Sequence, residues 1–132
     1  EDGMTALLHA SRTNPSPEVI RALLKAGANV GASEKNGMTV LMFAAMENGN
    51  PKVLDTLLKA GAEVNARDRN GSTALMFAAE YGNPAAVEML LGAGADAKSQ
   101  NRDGKRALDL AAGNDGLVGT AAYRQLKRAT NR

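Results

Sequence analysis

Residues 36–69 read NGMTVLMFAAMENGNPKVLDTLLKAGAEVNARDR, and residues 70–102 follow at once as a near copy, NGSTALMFAAEYGNPAAVEMLLGAGADAKSQNR. Self-similarity at a period of 33–34 residues is the sequence signature of a stacked repeat protein. A unit this short buries its apolar face only against its neighbours, so the product is elongated and offers a surface instead of a deep pocket. The sequence therefore predicts an architecture whose generic role is binding, without naming the partner.

Alignment on the turn glycines extends the frame to four units. We place them at residues 2–35, 36–69, 70–102 and 103–132, within a single domain that covers residues 1–132. The fourth unit matches the others in its first half and departs from them in its second half. It is therefore predicted to close the stack as a C-terminal capping unit, because the end of a solenoid needs a polar outer face.

Each unit is predicted to fold as a turn, a helix, a second turn, a second helix and an extended loop. Thr5, Thr39 and Thr73 stand where the first helices begin, and threonine is a good N-cap. Ser16, Asn50 and Asn83 each precede a proline, which suits a polar N-cap followed by proline at the first helical position. The pattern predicts eight helices in four pairs.

The unit resembles the ankyrin repeat. The family pattern D-G-x-T-P-L-H-x-A-A-x-x-G is matched by DGMTALLHAS, NGMTVLMFAA, NGSTALMFAA and DGKRALDLAA, and the pattern L-L-x-x-G-A-D-V-N-A by LLKAGANVGA, LLKAGAEVNA and LLGAGADAKS. The resemblance covers almost the whole chain. It implies an all-α ankyrin-repeat solenoid, in which antiparallel helix pairs stack and loops project at roughly a right angle.

The chain departs from the family pattern at the histidine that ties adjacent loops. The equivalent positions hold Leu8, Met42, Met76 and Asp109. An apolar side chain makes no such hydrogen bond, so we expect loop order to rest more on packing. Phe43 and Phe77 lie one position later and are expected to be buried in the seam between units, with His9 as their equivalent in the first unit.

Composition excludes several kinds of chemistry. The chain has no cysteine, one histidine and a formal net charge of +2, so it offers no disulfide framework and no thiolate zinc site. The lone His9 has no nucleophile at partner spacing. We therefore expect no catalysis, no small-molecule substrate, no cofactor and no metal site.

No apolar run approaches the roughly 18–20 residues of a membrane span, and no signal-peptide pattern is present. The chain begins at Glu1 in mid-repeat, which favours a fragment from which a targeting segment is missing. The compartment stays open, with the cytoplasm as the expectation for the fragment, and no membrane partner is expected.

The resemblance implies that a protein partner docks on the loop tips and on the exposed ends of the first helices, which form a concave surface. The side chains mapped there are Lys35, Met38, Met46, Arg67, Arg69, Ser72, Glu80, Tyr81, Arg102 and Lys105. Exposed Met and Tyr side chains are suited to interface hot spots. The four cations Arg67, Arg69, Arg102 and Lys105 suit an acidic partner segment.

Three alternatives to a self-standing binding module are considered. The chain is also consistent with a regulatory or targeting fragment of a larger enzyme or effector. An engineered scaffold is disfavoured by the irregular period. Nucleic-acid binding through the basic C-terminal helix is disfavoured by the low net charge, although residues 101–132 carry a net charge of +4. A monomer is expected, with end-to-end self-association through Val19, Ile20, Leu23 and Leu24 as the alternative.

Overall fold

The computed structural model describes residues 5–13, 16–47 and 50–132. These residues form eight helices, which fall into four consecutive pairs. The helices are α1 (Ala6–Thr13), α2 (Pro17–Lys25), α3 (Val40–Glu47), α4 (Pro51–Lys59), α5 (Ala74–Glu80), α6 (Pro84–Gly92), α7 (Ala107–Ala112) and α8 (Ala121–Thr130). None of the described helices combines the length and the apolar character needed to cross a membrane.

The helix starts are fixed by the side chains that the sequence indicated. The Oγ1 atoms of Thr5, Thr39 and Thr73 accept hydrogen bonds from the backbone N–H three residues later, at 3.2, 3.2 and 3.3 Å. The side-chain oxygens of Asn50 and Asn83 cap α4 and α6, accepting from the N–H groups of Lys52 and Ala86 at 2.9 and 3.2 Å. These bonds satisfy N–H groups that have no partner within the helix, and the predicted side-chain caps at these five residues are confirmed. Ser16 stands at the N-cap of α2 without a side-chain capping bond, and its hydroxyl donates to Glu18 Oε1 at 3.3 Å instead.

The helices form two layers. The first helices of the pairs, α1, α3, α5 and α7, pack in succession in one layer, and α2, α4, α6 and α8 pack in succession in the other. Each pair also packs internally, so that every unit shares its core with its neighbours. The predicted all-α architecture of stacked helix pairs is confirmed.

In the first three units, buried apolar side chains stand where the family pattern has a histidine. Leu8, Met42 and Met76 are buried in the core. In the fourth unit, Asp109 is exposed, and its carboxylate accepts the backbone N–H of Arg106 at 2.8 Å at the start of α7. That hydrogen bond favours the charged form and holds the pKa of Asp109 below its ordinary value, with the nearby guanidinium of Arg106 acting in the same direction.

The expected seam residues differ from one another. Phe43 is buried, with 7% of its surface exposed, as predicted. Phe77 is only partly buried, because it opens onto a groove between α5 and α7. His9 is exposed, and Leu7 and Leu8 are buried on the same helix instead. The prediction that all three positions fill the seam is therefore wrong for His9 and incomplete for Phe77.

The first unit exposes part of the face that later units bury. Val19 is 37% exposed, whereas Val53, at the equivalent position of the second unit, is fully buried. Leu23 is partly exposed and its equivalent Leu57 is buried. Ile20, which was expected on this apolar end, is fully buried and belongs to the hydrophobic core. The exposed apolar end is thus smaller than the sequence indicated.

Candidate partner-binding surface

Three turns at residues 34–38, 68–72 and 101–105 come just before α3, α5 and α7 and are built alike. In each turn the glycine N–H donates to the carbonyl three residues earlier, at 2.8, 3.0 and 2.9 Å. The first side chain of each turn, from Glu34, Asp68 or Asn101, accepts the N–H groups two and four residues later at 2.7–3.1 Å. An acceptor at this position is typical of such turns.

Adjacent turns are joined by the main chain. The N–H of Arg69 donates to the carbonyl of Asn36 at 2.9 Å, and the N–H of Arg102 donates to the carbonyl of Asn70 at 3.0 Å. The Arg69 guanidinium also donates from Nη2 to the carbonyl of Lys35 at 3.2 Å. Loop order therefore rests on hydrogen bonds as well as on packing. The two backbone bonds leave no mark in the residue pattern, which is why packing alone was expected to order the loops.

Arg67 serves the loops more than the surface. Its Nη1 donates to Ser99 Oγ at 3.2 Å, and its Nη2 donates to the carbonyl of Gln100 in the following loop. The guanidinium lies against Gly71, where an added Cβ would come within 2.8 Å of Nη2. Gly71 also has a φ of +74°, a conformation that favours glycine. This side chain therefore braces two loops, although it is exposed.

Lys35, Arg69 and Arg102 occupy the same position, the second residue of each turn. All three are exposed. Since the turns are joined in series, the three cations form a row along the tips. Lys105 is also exposed and ends the third turn, where the two earlier turns hold Met38 and Ser72.

A groove of about 410 Å³ lies between the third and fourth units, below these tips. Phe77 of α5 and Leu110 of α7 supply its apolar part. Four of the predicted binding residues line it, namely Ser72, Glu80, Arg102 and Lys105, together with Asn70, Asn101 and Asp103. The sequence analysis missed Phe77 and Leu110 as surface residues. Their shared repeat position was visible, but it was assigned to the seam.

The remaining predicted residues differ in exposure. Tyr81, at the end of α5, is 55% exposed and is the largest exposed apolar side chain near the groove. Met38 and Met46 are partly buried against the core and offer less area than expected. At the end of α3, Glu47 accepts from Arg12 Nε at 2.6 Å, which holds that helix end to α1.

The described residues contain no group of three or more His, Cys, Asp or Glu side chains that could hold a metal ion. Besides Asp109, the pKa of Glu18 is lowered, first by a backbone hydrogen bond and then by its bond from Arg21. Glu18 lies on α2 in the other helix layer. Both carboxylates lie in the first turn of a helix, so neither shift marks a reactive group in the groove.

Stacked helix pairs with a row of projecting turns define the class of this molecule, an all-α repeat solenoid with an extended surface. The family model described as "Ankyrin repeats (3 copies)" matches residues 1–68 and 41–123. Because the matches span most of the sequence, the chain belongs to the ankyrin-repeat family. No curated protein matches it significantly. Ankyrin repeats are generally modules for protein–protein interaction and are typically without catalysis.

Proposed function

We propose that this chain recognises a protein partner on the strip formed by its turn tips and the exposed ends of its first helices, without catalysis. The observation that carries the proposal is the groove between α5 and α7, in which Phe77 and Leu110 are framed by polar and charged side chains. Apolar anchors inside a polar rim are the usual composition of a protein interface.

The binding residues divide by role. The groove residues Ser72, Glu80, Arg102 and Lys105 contact the partner, and Tyr81 adds a large exposed side chain beside them. Arg69 and Lys35 extend the surface along the turn tips, and Met38 and Met46 support it at the second unit. Arg67 keeps a place in the interface chiefly by holding two loops in register.

The surface suits both a self-standing adaptor and the regulatory part of a larger protein. In both cases the event at this surface is the same, the docking of a protein segment. Tyr81 supplies contact area at a low cost in side-chain entropy, and Arg69 and Arg102 supply planar donors for carboxylates.

The proposal is tested by capture of partners with the wild-type chain and with two matched double variants. Tyr81→Ala combined with Arg69→Gln should weaken a genuine partner by at least about 2 kcal/mol, the hot-spot scale, with little change in thermal stability. Lys52→Ala combined with Asp55→Ala, on α4 in the other helix layer, should retain the partner. Loss of the partner only in the α4 variant would overturn the proposal.

A further inference from the structure

The three cations on the turn tips recur once per repeat, so the step between stacked units sets the spacing of their turns. Arg69 donates one bond from Nη2 to the carbonyl of Lys35, and its side chain remains exposed. Lys35, Arg69 and Arg102 recur at the same turn position at intervals of 34 and 33 residues. Packed helices lie about 8–10 Å apart, and each turn belongs to one step of the helix stack. The backbone bonds from Arg69 to Asn36 and from Arg102 to Asn70 keep the turns in this series.

The charges around the row favour an anionic ligand. Within residues 34–38, 67–72 and 101–105 there are five cations and three carboxylates. Glu34 and Asp68 are partly buried, and their carboxylates are occupied with two backbone N–H groups each. Asp103 is exposed beside Arg102 and reduces the field there. The row still presents more exposed cations than exposed anions.

Only some peptide conformations match this spacing. A polyproline II helix has three residues per turn and rises about 3.1 Å per residue, so every third side chain lies on one face at intervals of about 9 Å. In a β-strand the side chains on one face are alternate residues about 7 Å apart, which falls out of register after one step. The row therefore matches carboxylates at every third residue of a polyproline II segment.

We propose that the partner segment is an acidic polyproline II peptide with a carboxylate at every third residue, paired in turn with Lys35, Arg69 and Arg102. This inference rests on the proposed function, because it assigns the segment that crosses the turn tips. The groove with Phe77 and Leu110 lies beside Arg102 and Lys105 at one end of the row and receives an apolar side chain of the same segment.

The test compares two labelled peptides of identical composition. The first repeats Glu-Pro-Pro and ends in Glu, so that its carboxylates fall at every third residue. The second gathers the same glutamates at one end. Wild-type protein should bind the periodic peptide about tenfold more tightly at an ionic strength of about 0.15 M, because three exposed ion pairs add modest amounts that sum. Equal binding of the two peptides, or binding of neither, overturns the inference.

A charge-matched pair of variants locates the contact. The triple variant Lys35→Gln, Arg69→Gln and Arg102→Gln should remove the preference for the periodic peptide. A control triple variant carries Lys25→Gln, Lys52→Gln and Lys127→Gln on the second helices. It changes the net charge by the same amount and should keep the preference for the periodic peptide. Equal loss in both triple variants would show a general charge effect and would contradict the register. Tighter binding of single-stranded nucleic acid than of the periodic peptide would also contradict the inference.

Failure here is distinguishable from failure of the proposed function. If the two peptides bind alike while Tyr81→Ala with Arg69→Gln still loses the captured protein, the surface is correct and the assigned segment is wrong. If the captured protein is unaffected by that double variant, the proposed function itself fails, whatever the peptides do.

Discussion

Gly71 is the position where a single added methyl group tests how the loops are held together. Its φ of +74° is strained for any residue with a Cβ atom. A Cβ would also lie 2.8 Å from Arg67 Nη2 and 3.4 Å from the Arg102 nitrogen. In Gly71→Ala the Arg67 guanidinium must move, because the end of a flexible side chain shifts more easily than the backbone does.

The expected cost has two parts. The left-handed backbone conformation costs about 1–2 kcal/mol for alanine. Displacement of Arg67 removes its bonds to Ser99 and Gln100, worth about 0.5 kcal/mol each at an exposed site. We therefore expect Gly71→Ala to lower the free energy of unfolding by about 2–3 kcal/mol. Gly94→Ala is the control, since Gly94 has a φ of +94° and no atom within 4 Å of the added Cβ.

The measurement is urea unfolding at equilibrium, in the wild-type background and in an Arg67→Ala background. Gly94→Ala should cost the same in both backgrounds. Gly71→Ala should cost about 1 kcal/mol less once Arg67 is gone, because the displaced bonds are already absent. If the cost of Gly71→Ala is identical in the two backgrounds, Arg67 does not brace the loops and the account of its role is wrong.

Three further outcomes follow from burial and charge. Phe43→Ala should cost about 3–5 kcal/mol in urea unfolding, and Phe77→Ala distinctly less, since only Phe43 is fully buried; equal losses would contradict the groove. Because the pKa of Asp109 is lowered from its ordinary value of 3.8, its carboxylate stabilises the fold at pH values above 3.8, and this contribution is lost as pH falls through the lowered pKa. Asp109→Asn should therefore destabilise the protein more at pH 7 than at pH 3. Light scattering should show a monomer, because Ile20 is buried and Val19 is only 37% exposed on this end face. A dimer abolished by Val19→Glu would refute this.

The sequence predicted what repeats within a unit. Thr39 and Thr73 cap their helices, and Asn50 and Asn83 cap theirs, because each cap depends on residues within four positions along the chain. Local hydrogen bonds of this kind are set by residue type and spacing. The same holds for the turn glycines, whose conformation is imposed by the turn itself.

The sequence did not predict contacts that join one unit to another. Arg67 was assigned to the binding surface, yet its guanidinium is held by Gln100, in the following loop. Phe77 was assigned to the seam, and its partial exposure depends on the shape left by α7 of the next unit. Ile20 is buried like its repeat equivalent Leu54, so the repeat frame predicts its place better than the apolar pattern of α2 does. His9 is exposed although its equivalent Phe43 is buried, so repeat equivalence fails at that position. Such contacts depend on the relative placement of two units, which periodicity alone does not specify.

The row of cations is separable from the architecture that carries it. In each turn the first residue accepts two N–H groups and the fourth is the glycine with positive φ, so these two positions are constrained by folding. At Arg69 and Arg102 the second position contributes its backbone N–H to the neighbouring turn, a group that nearly every residue type has. Apart from the bond that the Arg69 guanidinium donates to the carbonyl of Lys35, the turn architecture does not depend on a cation at this position. A charge that recurs in three turns where the fold accepts almost any side chain is best explained by what the surface binds.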